Sequence, residues 1–311
     1  MITYAGKGED IPLFHQETSV TIGNFDGVHL GHQELIRRAR KKAQEKGCKT
    51  LVLSFFPHPL WVICPQKAPP LLTPFHVKRK ILERYGVDIF VAIEFSREFS
   101  SWSHQRFLEE ILVERLKTVH LVVGPDFRFG KGRKGDIGFL KGHAPFSVEE
   151  VPPVVVKGEP VSSTRIRHLL RDEGQVALAA ELLGRPYRLS GMVIKGDGRG
   201  RELGFPTANL EPVPRSLIPK RGTYLTKTLF NGGCYPSVTN IGKNPTFGES
   251  ERLRVETHLI GFEGDLVGRD ISIEFVERIR DEMRFGSPQE LVAQIKQDVL
   301  YAMRVCEAVG L

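Results

Sequence analysis

Cysteine is scarce in this 311-residue chain, with four residues at 48, 64, 234 and 306 and no CxxC pair among them. That spacing indicates neither a zinc site nor a disulfide framework, and it fits thiols kept reduced. Long apolar runs are missing as well. Nothing approaches the roughly 20 apolar residues that a spanning helix requires. The opening Met-Ile-Thr-Tyr-Ala-Gly-Lys-Gly-Glu-Asp has no apolar signal core. A cytoplasmic protein without membrane attachment is the expectation. The chain also has no GxxxxGK[ST] loop, which removes the common P-loop from consideration. Basic residues exceed acidic ones by 44 to 37, a formal net charge of +7, but they form no terminal tail. Charge alone chooses neither nucleic acid nor small polyphosphates, but no predicted exposed strand interleaves aromatics with Lys and Arg as a nucleic-acid surface does.

A hydrophobic content of 41% and a charged content of 26% are those of a globular protein, and the length allows two domains with a core each. The stretch Gly23-Asn-Phe-Asp-Gly-Val-His-Leu-Gly-His32 organises the first. Thr18–Ile22 before it reads as a short buried strand, and 33–46 after it reads as a helix stopped by Gly47. A strand-to-helix turn of this kind gathers free backbone N–H groups and the positive end of a helix dipole, a site for phosphate. His29 and His32, three residues apart, can donate to phosphoryl oxygens and stabilise the charge on departing pyrophosphate. The stretch lacks GxGxxG and so is not a dinucleotide fingerprint.

Apolar runs at 50–56, 87–93 and 119–124 alternate with helical patterns at 74–86 and 104–116, the first opened by Thr73-Pro74 and the second by Ser103. This alternation predicts a doubly wound parallel sheet with its ligand at the C-terminal strand ends. The loop leaving the last of these runs carries Asp126, Phe127, Phe129 and several basic residues, suited to a ribose or flavin, a flat ring and phosphate. Further on, Ser162-Ser-Thr-Arg165 opens a helix carrying Ile166, Leu169 and Leu170, and makes a second phosphate corner.

After Gly184 the pattern changes to short alternating segments at 188–195, 223–230, 235–241, 254–260 and 271–276. Asn231-Gly232-Gly233 is a hairpin signal, and the whole predicts a small antiparallel barrel. A final helix over 288–305, with Leu291, Ile295, Val299 and Met303 on one face, is expected to plug or cover one end. Gly196, Gly198, Arg199 and Gly200 can wrap phosphates. Thr207 and Asn209, if extended, project to one face as two oxygen ligands for magnesium. Glu256 alternates with Val255 and can take the proton of an attacking alcohol.

The motif G-N-F-D-G-V-H-x-G-H resembles the HxGH signature of nucleotidylyltransferases in the form used by bacterial FAD synthetases, and Ser-Ser-Thr-Arg-Ile-Arg resembles its companion SSTxIR. GxGRGxxLGFPTANL, Gly222-Thr-Tyr224, Asn240-Ile-Gly242 with Pro245-Thr246, Glu256-Thr-His258 and Arg280-Asp-Glu282-Met-Arg-Phe285 look like riboflavin kinase, in order. From about residue 18 to 306 the chain is similar to bacterial bifunctional riboflavin kinase/FAD synthetase.

The resemblance implies a Rossmann-like α/β domain over 1–183 that adenylylates FMN, and a barrel with a C-terminal helix over 184–311 that phosphorylates riboflavin. ATP and Mg²⁺ are the implied cofactors, riboflavin and FMN the substrates and FAD the product. The adenylylation site then comprises His29 and His32 with Gly23, Phe25, Asp26, Asp126, Ser163, Thr164 and Arg165. The kinase site comprises Gly198, Arg199, Gly200, Thr207, Asn209 and the base Glu256. Phe129, Arg280, Glu282 and Phe285 are assigned to flavin. The implied partners are small molecules, with neither nucleic acid nor membrane, and weak association between copies of the chain is left open. A barrel that binds flavin without turning it over is the alternative, predicting FAD from FMN but no FMN from riboflavin.

Overall fold

The computed structural model describes all residues except 197, 199, 201–202, 244–252 and 310–311. Arg199 and Pro245-Thr246 lie outside the described residues. The chain forms two compact units, Met1–Ser162 and Ser163–Leu311. This division falls before the sequence-based boundary at 183/184, because the intervening helices pack on the strands of the barrel.

In the first unit six parallel strands stand in the order β1-β4-β3-β2-β5-β6: β1 (Ile2–Gly6), β2 (Thr18–Ile22), β3 (Lys49–Phe56), β4 (Ile89–Glu94), β5 (Thr118–Val123) and β6 (Ser147–Glu150). Every residue of β2 is buried, as a central strand covered on both faces requires. From β2 the sheet grows one way to β3 and the other way to β5, so the crevice of the topological switch opens where β2 and β5 end. Side chains alternate between two cores. Val20, Leu51, Leu53 and Val91 pack with Phe107, Ile111 and Leu112 on one face. Val52 and Phe90 pack with Phe25, Val28, Ile36 and Leu82 on the other. Two strands are without a sequence signal. β1 is mostly exposed or half-buried, and β6 has a single apolar residue, Val148, because both are edge strands.

The helices of this unit are α1 (Leu30–Lys46), α2 (Pro59–Ile63), α3 (Phe75–Arg84), α4 (Arg97–Ser100), α5 (His104–Arg106), which runs on as a π-helical segment over Phe107–Arg115, and α6 (Ile137–His143). A small hairpin follows, β7 (Val155–Val156) with β8 (Glu159–Pro160). The expected start of the first helix at Gln33 moves back to Leu30, because the His29 ring caps it by accepting from the His32 N–H. The Thr73-Pro74 reading also changes. Pro74 is the N-cap of α3, and the Thr73 hydroxyl is used elsewhere.

The second unit opens with α7 (Ser163–His168), α7 being prolonged to Glu173, and α8 (Val176–Leu183). A closed barrel follows in the order β10-β13-β12-β11-β14-β9, made of β9 (Tyr187–Ile194), β10 (Ala208–Pro212), β11 (Gly222–Phe230), β12 (Gly233–Lys243), β13 (Leu253–Leu259) and β14 (Asp270–Arg280). The hairpin signal is a two-residue turn with φ of 47° at Asn231 and 78° at Gly232, the pair of positive values that a type I′ turn needs. Inside the barrel Tyr187, Tyr224 and Phe275 are joined by fully buried hydroxyls that satisfy one another. Thr226 meets Thr239 at 2.7 Å, Thr228 meets Ser237 at 2.7 Å, and Thr239 meets Thr257 at 2.9 Å.

The last helix, α9 (Pro288–Val309), runs four residues further than expected. It lies on the outer side of the barrel, with Ala302 and Cys306 against Leu225 and Val238, and plugs neither end. Met303 is 42% exposed and leaves the expected face. A stripe advancing by four residues drifts around a 3.6-residue helix, and Ala302 restores it.

Two candidate active sites

The Gly23–His32 turn leaves the end of β2, where the Gly23 N–H donates to the Leu53 carbonyl. Phe25 and Val28 are fully buried with φ of 48° and 41°, so two L-residues, one β-branched, are held in the left-handed region. Such backbone strain persists only where the surroundings over-determine it, and it concentrates at functional turns. His29 and His32 then stack with ring centroids 3.7 Å apart and planes 19° from parallel. Because His29 Nδ1 accepts the His32 N–H at 3.4 Å, the proton of the neutral ring belongs on Nε2, which can donate. His29 is 7% exposed. Its neighbour His32 packs its other side on Phe25, with centroids 5.0 Å apart.

What over-determines the turn is the segment entering α3. Asp26, buried, accepts from the N–H groups of Leu72 at 3.1 Å and Thr73 at 2.9 Å. The Gly27 N–H donates to the Thr73 hydroxyl at 2.9 Å. The Asn24 carbonyl accepts from Lys78 Nζ at 2.6 Å and from the Ser54 hydroxyl at 3.1 Å. The sequence assigned Asp26 to nucleotide and placed the Pro57-His58-Pro59 turn over the same sheet edge, but gave no sign of Lys78 or Ser54, neither of which carries a motif of its own. Asn24 lies 3.3 Å from His58 Nε2. Asn24, Asp26, His58, Thr73 and Lys78 border a cleft walled by Phe55, Phe56, Trp61 and Phe75.

The loop after β5 leaves Asp126 exposed and buries Phe129 to 8%, stacked on Phe127 at 5.4 Å and packed on Phe107. Phe129 is thereby a member of the core, and Phe127 is the more accessible ring. Ser163, Thr164 and Arg165 form the first residues of α7, in the second unit.

In the barrel, strand register aligns the expected kinase residues. Asn209 on β10 pairs with Glu256 on β13, which pairs with Asn240 on β12, which pairs with Thr223 on β11, which pairs with Arg280 on β14. Val255 and Thr257 point into the barrel, so this row lies on its outer surface. Thr207, exposed, precedes β10 by one residue and shares Asn209's side of the chain, while Ala208 and Leu210 are buried. Asn209 lies so close to Gly196 that a β-carbon there would overlap its carboxamide, a reason for glycine at 196. Gly200 accepts the Phe205 N–H at 2.7 Å, and His258 Nδ1 bonds the Pro206 carbonyl at 2.8 Å. The glycine-rich loop is thus tied to β13 two residues from Glu256. Gly198 lies in the same loop.

Arg280 is committed to Asp298 of α9, with contacts of 2.7 to 3.1 Å, and Asp298 is 3% exposed. Its place in the row is an anchor for the last helix, and Gln294 adds a further bond to the same carboxylate. Asp298→Ala leaves a cation without its partner. It is expected to cost about 3 kcal/mol of stability, read as a lowered denaturation midpoint. Glu282 lies over Gly242 and 3.5 Å from Arg221, and Phe285 is half-buried before α9. Among the described residues no three His, Cys, Asp or Glu side chains form a metal cluster. Thr207 and Asn209 supply neutral oxygens beside a carboxylate, a donor set that fits a magnesium ion keeping most of its waters.

Residues 11–165 match the FAD synthetase family and residues 183–306 match the riboflavin kinase family. The chain is 39% identical over 287 residues to the bifunctional riboflavin kinase/FMN adenylyltransferase of Escherichia coli (strain K12), covering 91% of each. It is 38% identical over 292 residues to the enzyme of the same name from Bacillus subtilis (strain 168), covering 92% of this chain and 91% of that one. A crystal structure from Streptococcus pneumoniae, described as a macrolide-efflux protein, superposes with a TM-score of 0.88 at 33% identity, over 97% of this chain and 99% of that one. Among the described residues here, no helix is long and apolar enough to cross a membrane.

Proposed function

The chain belongs to the bifunctional riboflavin kinase/FMN adenylyltransferase family, and from that membership we propose how its residues divide two consecutive reactions. The barrel transfers the γ-phosphoryl group of ATP to the terminal ribityl hydroxyl of riboflavin. Glu256 takes the hydroxyl proton as the alcohol oxygen attacks, and ADP leaves. Thr207 and Asn209 would hold Mg²⁺, which would neutralise phosphate charge, and Gly198 and Gly200 offer backbone to the phosphates. Flavin is received near Glu282 and Phe285. The observation that carries this half is the register that sets Glu256 directly beside Asn209.

The first unit serves the second reaction. An FMN phosphate oxygen attacks the α-phosphorus of another ATP, forming FAD as pyrophosphate leaves. His29 and His32 donate to the phosphoryl oxygens where charge builds, and no side-chain nucleophile is required. Gly23 and Phe25 shape the turn that meets the nucleotide, with Asp26 as its internal brace. Asp126, Ser163, Thr164 and Arg165 are assigned to this reaction through their family motifs. Phe127 and Phe129 supply aromatic surface for flavin. The setting is cytoplasmic, where Cys48, Cys64, Cys234 and Cys306, all free thiols, stay reduced.

The test is incubation of the purified chain with riboflavin and MgATP, followed by chromatography. FMN should appear first and FAD after it. FAD formed from supplied FMN, with no FMN formed from riboflavin, would reduce the barrel to a binding module.

A further inference from the structure

A lysine buried beneath a phosphate-binding turn is chemically costly, and Lys78 is one: it is 8% exposed, on α3. It donates to the Asn24 carbonyl, two residues before Asp26 and five before His29. That carbonyl already receives the Ser54 hydroxyl, so a neutral donor suffices to satisfy it. A second donor that carries charge has a different consequence. It places a fixed cation under the segment that bends into the two histidines, in a protein interior where charge acts strongly.

The other ionisable groups facing this position are Asp26 on the turn and His58 after β3. The Asp26 carboxylate is braced by two backbone N–H groups, and so only partly offsets the ammonium. Burial drives the Lys78 pKa down to about 8, opposed by Asp26.

We infer that Lys78 is a positioning residue for adenylyl transfer, a buried cation that locks the Asn24 carbonyl and lends positive field to the turn carrying His29 and His32. It touches no reacting atom; it acts through the turn. The inference rests on the assignment of adenylyl transfer to the first unit. As pH rises through about 8 the ammonium loses its proton. The neutral amine then donates more weakly and the field is gone.

The experiment uses the full chain with FMN and MgATP, scored as FAD formed, with riboflavin phosphorylation by the same preparation as the reference. Lys78→Met should lower kcat for FAD formation on the order of tenfold and leave riboflavin phosphorylation alone. Lys78→Arg keeps the charge and should recover much of that loss. In the wild-type chain kcat should fall above pH 8, and in Lys78→Arg that alkaline limb should vanish because guanidinium does not titrate there. Wild-type kcat in Lys78→Met, or an unchanged alkaline limb in Lys78→Arg, overturns the inference. If Lys78→Met fails to fold, the Lys78→Arg profile decides alone. Absence of FAD formation by the wild-type chain is a separate result, and sinks the functional assignment itself.

Discussion

Glu256→Gln is expected to lower riboflavin phosphorylation by about 10³-fold, within the range for a removed general base, while FAD formation from supplied FMN continues at the wild-type rate. The substitution keeps the shape of the side chain but replaces a charged, acceptor-only carboxylate by a neutral amide that cannot take a proton. Its strand position is secured independently. Val255 and Thr257 are buried on either side of it, and the pairings to Asn209 and Asn240 are made by backbone. A folded protein is therefore expected, and the loss should fall on kcat, with the ATP KM little changed because Thr207 and Asn209 remain. Initial rates of FMN formation, measured beside rates of FAD formation, decide it. Equal loss of both activities would speak against separate sites, and full kinase activity would remove Glu256 from the role of base.

His32→Ala is expected to produce the opposite pattern, with FAD formation down by about 10² to 10³, or roughly 3 to 4 kcal/mol of transition-state stabilisation, and riboflavin phosphorylation intact. His29→Ala should match it in direction and also weaken the protein, since His29 caps α1 and a lost cap costs about 1 kcal/mol. His32 is the cleaner probe because the N-cap of α1 is His29. The two rings stack face to face at 3.7 Å, so the double variant should cost less than the sum of the singles. Measuring kcat and the KM for ATP and FMN separates the cases. A change confined to KM would mean that the histidines bind the ground state only, and would exclude them as charge stabilisers.

The glycine-histidine stretch, the parallel strands and the barrel hairpin were all legible as patterns, since each depends on local chemistry. A buried central strand is a continuous apolar run, and two left-handed residues in a row call for Asn-Gly. The misses share one cause. β1 and β6 earn their strand character from a neighbour's edge, and Pro74 stands at the N-cap position of α3 while the Thr73 hydroxyl accepts from Gly27. Lys78 looks in sequence like any cation on a helix, and its burial under the histidine turn has no local signature.

By itself the order of amino acids determined which chemistry is present: two phosphate-friendly turns, a pair of imidazoles, a carboxylate on an alternating strand, and the two architectures that carry them. Such features are set by spacing within about ten residues, where periodicity and backbone preference govern. Only tertiary structure decided that Arg280 braces α9 through Asp298, that Asn209, Glu256 and Asn240 stand side by side, and that a buried ammonium underlies the histidine turn. Those partners are separated by 16 to 54 residues along the chain, a separation bridged by strand register and core packing and by no local rule.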